Sequence, residues 1–314
     1  MNKNIICIIS GPTASGKTKT SIELAKKFGG EIVNFDSLLF YKEIIIGTAK
    51  PTKNEQSGVI HHLIDTHSIK KPINAASYSQ EAVQLINNLH HQNKIVYLVG
   101  GSGFYLQAVL KGMYNSPTTP LEVTRKSNSL FEKSGIQPFC DFLLKHDPLS
   151  FERYHKNDHY RIRRAVEHFW TNQYPFSSER EKMKEKESSF PKNLFNWNVF
   201  HAHLDLDRDS HFEIIKGRTK EMLKDGLIEE VKKLKEMGFT GEEKPLKSIG
   251  YKETFQYLDG KYKDIIDFEE RINISTRQLA KSQRTWFSKV QKSTYNPLLD
   301  IDKLHKDFNF FLKE

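Results

Sequence analysis

A run of glycines, hydroxyls and one lysine near the start of the chain has the spacing of a phosphate-binding loop. Residues 11–18 read Gly-Pro-Thr-Ala-Ser-Gly-Lys-Thr. The two glycines allow the backbone to fold back, so that successive N–H groups point at one anion. The lysine can reach an outer phosphate and the final hydroxyl can hold Mg²⁺, whereas a glycine turn without a ligand is the weaker alternative. The predicted phosphate-binding residues are Gly11, Thr13, Ala14, Ser15, Gly16, Lys17 and Thr18.

Two polar residues that follow apolar runs are candidates for acting on a bound substrate. Asp36 comes directly after residues 31–35, and its carboxylate could bind Mg²⁺ through water or accept a substrate proton. Alone, such an aspartate more commonly caps the next turn. Ser102 lies in Gly100-Gly101-Ser102-Gly103, and it either donates to a substrate or forms part of a tight turn.

A cluster of arginines in the middle of the chain could meet a polyanion. Arg161, Arg163 and Arg164 follow Tyr160, and guanidinium groups suit both phosphate binding and base stacking. On a helix, Arg161 and Arg164 share one face. A solvated basic face is the ordinary alternative for such a run.

Two further groups of cations lie later in the chain. Residues 277–287 predict a helix with a basic face and an aromatic end, and an ordinary amphipathic helix is at least as good an explanation. One of three cations could close over a diphosphate from the side opposite Lys17, although spacing alone does not distinguish this from surface exposure. The three cations are Arg208, Lys216 and Arg218.

Apolar segments at residues 5–9, 31–35 and 95–99 are predicted to position these groups. Each reads as a buried strand and leads directly into one of the polar loops. Helical patterns follow the first loop and recur at residues 78–91. Alternating strands and helices indicate an α/β fold with a parallel sheet, in which groups after the strands share one edge.

The sequence pattern changes after about residue 112. Residues 112–195 lack apolar strand runs and instead show short helical patterns rich in Lys, Arg, His and aromatics. We predict a helical insertion here. Residues 195–204 then predict a strand that returns to the core, and residues 209–237 predict one long helix.

The amino-acid composition indicates which kind of partner and which cellular location to expect. A net charge of +9 and a pI near 9.2 suit a polyanionic partner, although a Lys-rich proteome would give the same balance. The two cysteines, Cys7 and Cys140, show no zinc-binding spacing and fit a reducing cytosol. The N-terminus lacks the pattern of a signal peptide, and no run approaches the ~20 apolar residues of a membrane helix. We therefore expect a cytoplasmic protein without a membrane partner.

Several stretches, in order along the chain, together resemble the tRNA dimethylallyltransferase family in its bacterial form. Residues 11–18 alone are shared with many kinases. Their combination with Ile-Gly-Thr-Ala-Lys-Pro at 46–51 and Thr-Arg-Gln-Leu-Ala-Lys at 276–281 is highly specific. The other matching stretches are 36–37 with 41–42, 62–65, 98–105, 161–167 and 249–253.

The resemblance implies a P-loop core related to nucleotide kinases, formed by residues 1–111 and 196–314, with a helical insertion domain at 112–195. The core would bind dimethylallyl diphosphate, and the insertion would contact the anticodon arm of tRNA. The implied reaction transfers the dimethylallyl group to N6 of the adenosine 3′-adjacent to the anticodon and releases diphosphate.

The resemblance also implies roles for individual residues. Asp36 would accept the N6 proton, Ser102 and Arg218 would act on the substrates, and Thr18 would hold Mg²⁺ together with diphosphate and water. The protein is expected to act as a monomer. The implied tRNA contacts are Asp36, Ser37, Leu38, Leu39, Tyr160, Arg161, Ile162, Arg163, Arg164, Arg277 and Lys281.

Five positions depart from the family pattern. Ser102 stands where Thr is common, Tyr160 where Gln is common and Ile214 where Arg is often found. Leu38 and Leu39 are apolar where some members have polar residues.

Two other functions are possible. The rival enzyme is a small-molecule or nucleoside kinase that uses ATP at the same loop. The third possibility is an RNA-binding protein with a degenerate loop, which the intact Lys17 disfavours.

Overall fold

The computed structural model describes residues 4–113, 119–179, 181 and 196–314. The chain divides into two compact units. One consists of Met1–Leu110 with Phe195–Glu314, and the other of Lys111–Leu194. Each unit has its own buried apolar core.

The first unit begins with alternating strands and helices. In chain order these are β1 (Ile5–Ser10), α1 (Lys17–Phe28), β2 (Glu31–Asn34), α2 (Lys53–Gln56), β3 (His61–His62), α3 (Ala75–His91), β4 (Val96–Gly100) and α4 (Gly103–Lys111). In the second unit the chain forms the helices α5 (Leu121–Ser134), α6 (Gln137–His146), α7 (Pro148–Arg153) and α8 (His159–Asn172).

The chain then returns to the first unit. The remaining elements are β5 (Asn198–Leu204), α9 (Arg208–Lys224), α10 (Leu227–Glu236), a 3₁₀ helix (Lys244–Lys247), α11 (Tyr251–Leu258), α12 (Ile265–Phe287), β6 (Ser293–Tyr295) and α13 (Ile301–Lys313).

The six strands form one sheet in the order β3-β2-β4-β1-β5-β6, and the named strand pairs are all parallel. The predicted α/β fold with a parallel sheet is therefore confirmed. β1 lies between β4 and β5, and its residues from Ile6 to Ser10 are buried. Burial on both faces explains why this strand is a continuous apolar run.

The carboxyl ends of β1, β4 and β2 bring the predicted functional segments to one edge of the sheet. Ser10, at the end of β1, pairs with Gly100 at the end of β4. Asn34, at the end of β2, pairs with Val99. Three neighbouring strands therefore lead into the loops that carry Lys17, Asp36 and Ser102, at the edge where open α/β sheets bind their ligands.

The single helix predicted over residues 209–237 is wrong, because the chain forms α9 and α10 instead. Gly226 separates them with a φ of +100°. This left-handed conformation interrupts a right-handed helix and costs glycine little. The residues that α10 buries are Leu227, Val231 and Leu234.

The named elements of the second unit are all helices, and its apolar core is formed chiefly by residues of α6 and α8. The buried residues of this core are Phe139, Cys140, Leu143, Ile162, Ala165 and Val166. Among the residues that the structure describes in either unit, no helix combines the length and apolarity needed to cross a bilayer.

Candidate active site

The phosphate loop, residues 11–18, joins β1 to α1 and closes tightly. Gly16 has a φ of +79° and immediately precedes the first residue of α1, Lys17. A Cβ atom on Gly11 would lie 2.4 Å from the carbonyl oxygen of Leu204, so only glycine fits there. The N-terminus of α1 directs its free N–H groups into the loop, which favours an anion. The predicted strand, loop and helix are all present.

The main chain of Thr13 is held by the protein itself. Its N–H group donates to Gln283 Oε1 at 2.8 Å. Its carbonyl oxygen lies 2.8 Å from His211 Nε2. The Thr13 N–H is therefore committed to Gln283, and the predicted diphosphate contact by Thr13 would have to use its side-chain hydroxyl.

Two hydroxyls of the phosphate loop fit a diphosphate with Mg²⁺. The buried Ser15 hydroxyl has no hydrogen-bond partner among the described residues. Thr18 is exposed in the first turn of α1. Within the described ranges, no group of three or more His, Cys, Asp and Glu side chains is placed to hold a metal ion. Mg²⁺ needs no such group, because it commonly keeps several waters and binds substrate phosphates beside one or two protein oxygens.

Lys17, Asp36 and Arg218 lie within electrostatic range of one another. Burial lowers the pKa of Lys17 to about 8, an effect that the Asp36 carboxylate opposes and the Arg218 guanidinium reinforces. Burial also lowers the pKa of Arg218, again opposed by Asp36. Lys17 and Arg218 thus both interact with the Asp36 carboxylate, and Glu221 also acts on Arg218. A bound anion would stabilise the charged forms of these two buried cations further. Lys17 Nζ meanwhile donates to the carbonyl oxygen of Pro12 at 2.6 Å.

The Asp36 loop, residues 35–39, is held by side chains that accept from its backbone N–H groups. Asn34 Oδ1 accepts from the Asp36 N–H at 2.8 Å, and Asp36 Oδ1 accepts from the Leu38 N–H at 3.1 Å. Ser102 Oγ accepts from the Ser37 N–H at 3.1 Å. The capping role that sequence reasoning weighed against catalysis for Asp36 is therefore real, and it uses one carboxylate oxygen. Ser102 is more than part of a turn, because it connects the β4–α4 loop to the Asp36 loop.

Arg218 extends from α9 to the segment at residues 45–48. Its Nη2 donates to the carbonyl oxygen of Thr48 at 3.2 Å. Glu230 on α10 holds the same segment, since its carboxylate accepts from the N–H groups of Ile45, at 2.7 Å, Ile46 and Gly47. The Tyr251 hydroxyl donates to Glu230 at 2.7 Å. Residues 45–48 are thereby held beside Arg218.

Four residues that hold this site were not predicted from the sequence. Tyr251 lies inside the stretch 249–253, and Gln283 follows the stretch 276–281, so both were near a recognised motif. Tyr251 and Gln283 form hydrogen bonds with loops that are distant along the chain, and a single sequence does not reveal these partners. The four residues are His211, Glu230, Tyr251 and Gln283.

In the second unit, the arginine cluster divides into exposed and packed members. The side chains of Arg161 and Arg164 are 66% and 44% exposed, and both form ion pairs on α8. Tyr160 is 72% exposed. Arg163 donates to Ser127 Oγ at 2.9 Å and is mostly buried, with its guanidinium over the Phe131 ring.

Ile162 was predicted to contact tRNA, but its side chain is 1% exposed and belongs to the core of the second unit. Its helix turns it away from the face that carries Arg161. In the structure described here, Ile162 can support that face by packing, and its side chain is not available to RNA.

In the first unit, the remaining predicted contacts are accessible. Arg277 and Lys281 are exposed on α12, and the Arg277 guanidinium lies 4.3 Å from the centre of the Phe212 ring. Ile214, which replaces the expected second arginine, is exposed on α9. Leu38 and Leu39 of the Asp36 loop are half-buried.

Comparison with known proteins gives a consistent family match. Residues 39–290 match the family model described as IPP transferase. A relative from Geotalea daltonii, named tRNA dimethylallyltransferase 2, is 35% identical over 284 residues, which is 90% of this chain and 84% of the relative.

Solved structures with the same fold point to the same group of proteins. A full-length tRNA isopentenylpyrophosphate transferase from Bacillus halodurans is 30% identical with a TM-score of 0.70, covering 99% of this chain and 97% of that protein. A eukaryotic dimethylallyltransferase acting on tRNA is 26% identical with a TM-score of 0.77, covering 98% of this chain and 77% of that protein.

Proposed function

Because this chain belongs to the IPP transferase family, we propose that it transfers the dimethylallyl group of dimethylallyl diphosphate to tRNA. The acceptor is N6 of the adenosine 3′-adjacent to the anticodon, and the second product is diphosphate. The observation that carries the proposal is the grouping of Lys17, Arg218 and Asp36 at the carboxyl edge of the sheet.

The acceptor amine needs help from a base. The lone pair of adenine N6 is delocalised into the ring, so the amine is a weak nucleophile. As a bond forms between N6 and the allylic carbon, the bond from that carbon to the diphosphate oxygen breaks and N6 loses a proton. Asp36 accepts this proton with the carboxylate oxygen that the Leu38 N–H does not occupy.

The leaving diphosphate needs charge stabilisation. Lys17 and Arg218 both interact electrostatically with the Asp36 carboxylate, and the N–H groups at the start of α1 add a third source of positive potential. Removal of one such donor typically costs ~10²–10³ in rate. The buried hydroxyl of Ser15 is available for a phosphate oxygen.

Mg²⁺ is part of the proposal, although few protein atoms would bind it. The exposed hydroxyl of Thr18 would hold the ion together with diphosphate oxygens and water. When bound, the ion neutralises charge on the diphosphate.

Binding of the tRNA uses basic and aromatic surfaces in each unit. In the second unit, Tyr160 can stack on a base while Arg161 and Arg164 bind phosphates. In the first unit, Arg277 and Lys281 lie on the exposed face of α12. The adenosine must leave its stack to react, at a cost of a few kcal/mol, which these contacts offset. We further propose that the protein acts as a monomer in the cytoplasm, where its substrate tRNA is found.

A transfer assay tests the proposed reaction. Radiolabelled dimethylallyl diphosphate is incubated with unmodified tRNA that carries adenosine next to an anticodon ending in A. Label is expected in the tRNA, and Lys17→Ala is expected to abolish it. Lys19→Ala is the matched control, because Lys19 is exposed two residues further along α1.

A parallel reaction with ATP tests the rival kinase. Absence of label from the tRNA, together with consumption of ATP in the presence of a small acceptor, would overturn the transferase in favour of phosphoryl transfer. Omission of Mg²⁺ in the presence of a chelator is expected to stop transfer as well.

A further inference from the structure

Gln283 forms a bridge between two loops of the candidate active site. Its Oε1 accepts from the N–H of Thr13 in the phosphate loop at 2.8 Å. Its Nε2 donates to the carbonyl oxygen of Gly101 at 3.0 Å. One amide side chain on α12 thus joins the loop after β1 to the loop after β4, with both of its polar ends in use.

The glycines of the β4–α4 loop make room for this bridge. A Cβ atom on Gly101 would lie 2.5 Å from Gln283 Nε2, and one on Gly103 would lie 2.2 Å from the Trp286 ring. Neither distance is tolerated between real atoms. The close approach of the end of α12 therefore explains Gly101 and Gly103, whereas a Cβ atom on Gly100 would lie 2.7 Å from the backbone of Phe35.

The backbone carbonyl of Thr13 is also held from α12, by Arg284 acting through His211. Arg284 Nη2 donates to His211 Nδ1 at 2.7 Å, which leaves the proton of the neutral ring on Nε2. Nε2 then donates to the Thr13 carbonyl at 2.8 Å. Arg284 is itself oriented by Asp205 Oδ1 at 2.7 Å. Both backbone polar groups of Thr13, its N–H and its carbonyl, therefore depend on α12.

The bridge continues from Gly101 to the proposed base. Ser102 follows Gly101 directly, and its hydroxyl accepts from the Ser37 N–H at 3.1 Å. Ser37 in turn follows Asp36. A short series of bonds thus runs from the phosphate loop through Gln283 and Ser102 to the loop that carries Asp36, all within the first unit.

We propose, on the basis of the function proposed above, that Gln283 is a positioning residue that sets the separation between the diphosphate site and the Asp36 carboxylate. The reaction needs the leaving oxygen, the allylic carbon, N6 and the base in one fixed arrangement. A misplacement of about 1 Å can cost ~10²-fold in rate. Gln283 acts through Thr13 and Gly101 and does not touch the reacting atoms.

The test compares Gln283→Met, Gln283→Glu and the control Gln80→Met. Methionine keeps the length of the side chain and removes both hydrogen bonds. Glutamate can still accept from Thr13 but cannot donate to Gly101. Gln80 is exposed on α3, so the same substitution there controls for the chemical change. The measurements are the single-turnover transfer rate at saturating substrates, the Kd for inorganic diphosphate and the melting temperature.

Gln283→Met is expected to lower the single-turnover rate about 10²-fold while the Kd for diphosphate and the melting temperature stay close to those of the unsubstituted chain. The single-turnover rate of Gln283→Glu is expected to lie between those of the unsubstituted chain and Gln283→Met, because one of the two hydrogen bonds remains. Gln80→Met is expected to change none of the three quantities.

Two results would overturn the positioning role. One is a rate for Gln283→Met equal to that of Gln80→Met. The other is a loss of diphosphate affinity that accounts for the whole loss of rate, since Gln283 would then shape only the phosphate loop. If the unsubstituted chain itself transfers no label, the proposed function fails, and this outcome is separate from both.

Discussion

The Asp36 carboxylate has two roles in the proposed reaction. It accepts the N6 proton, and it also raises the pKa of Lys17. Asp36→Asn keeps the shape of the side chain and the oxygen that accepts from Leu38. We expect kcat to fall by ~10²–10⁴ as the base is lost, with tRNA still bound. Single-turnover rates and tRNA binding by filter retention measure the two effects separately.

The control for this change is Asp225→Asn, which removes an exposed carboxylate after the end of α9. It is expected to leave kcat unchanged. Near-normal turnover in Asp36→Asn with tRNA bound would show that Asp36 is not the base.

The lowered pKa of Lys17 predicts a pH dependence of diphosphate binding. Lys17 is charged below a pH of about 8 and neutral above it, and only the charged form attracts the anion. The Kd for inorganic diphosphate is therefore expected to rise above this pH, by up to about tenfold per pH unit. Isothermal titration calorimetry between pH 7 and about 9.5 gives the profile.

The pH profile of Lys17→Ala is the reference, because it reflects the ionisation of diphosphate itself but not that of Lys17. The difference in log Kd between the unsubstituted chain and Lys17→Ala is expected to change slope near pH 8. Asp36→Asn is expected to move this change of slope to lower pH, since Asp36 opposes the lowering of the Lys17 pKa. Parallel curves for the unsubstituted chain and Lys17→Ala would contradict the assignment.

At the scale of elements, α10 and α11 hold residues 45–48 by close packing as well as by hydrogen bonds. A Cβ atom on Gly47 would lie 2.6 Å from the Tyr251 ring, whereas nothing lies within 4 Å of a Cβ on Gly217 in α9. We expect Gly47→Ala to destabilise the fold by about 1–3 kcal/mol. Gly217→Ala is expected to stabilise it by about 0.5–1 kcal/mol. Urea unfolding of both variants measures the free energy of unfolding.

Gly47→Ala is also expected to lower kcat, because the segment carries the Thr48 carbonyl that orients Arg218. Gly217→Ala serves as the control for stability. An unfolding midpoint for Gly47→Ala equal to that of the unsubstituted chain would show that the segment can move away from Tyr251 without cost.

The elements that could be predicted from sequence are those whose signal is local. The strands that become β1, β2 and β4 are apolar runs, and their order along a parallel sheet puts Lys17, Asp36 and Ser102 at one edge. The break at Gly226 was missed because the apolar spacing continues through it.

The phosphate loop could be predicted from its own eight residues, whereas the Gln283 bridge joins positions 270 residues apart. Such a contact depends on the packing of α12 and leaves no periodic pattern.

At the scale of the whole molecule, the net charge of +9 acts on tRNA before any specific contact forms. Binding that neutralises phosphates releases counterions, so affinity falls linearly with the logarithm of the salt concentration. The proposed diphosphate substrate is small, and fixed groups at the edge of the sheet would hold it. The two substrates are therefore expected to differ strongly in the salt dependence of their binding.

Tyr160 and Arg161 allow the charge contribution to tRNA binding to be separated from stacking. Arg161→Ala is expected to reduce the slope of log Kd against log salt by about 1, as one phosphate contact is lost. Tyr160→Ala is expected to weaken binding by about 1–3 kcal/mol at every salt concentration and to leave the slope unchanged. Arg125→Ala, an exposed arginine on α5, is the control for a general loss of charge. Equal slopes for Arg161→Ala and the unsubstituted chain would exclude a phosphate contact at this position, and the basic face of α8 would then be only solvated.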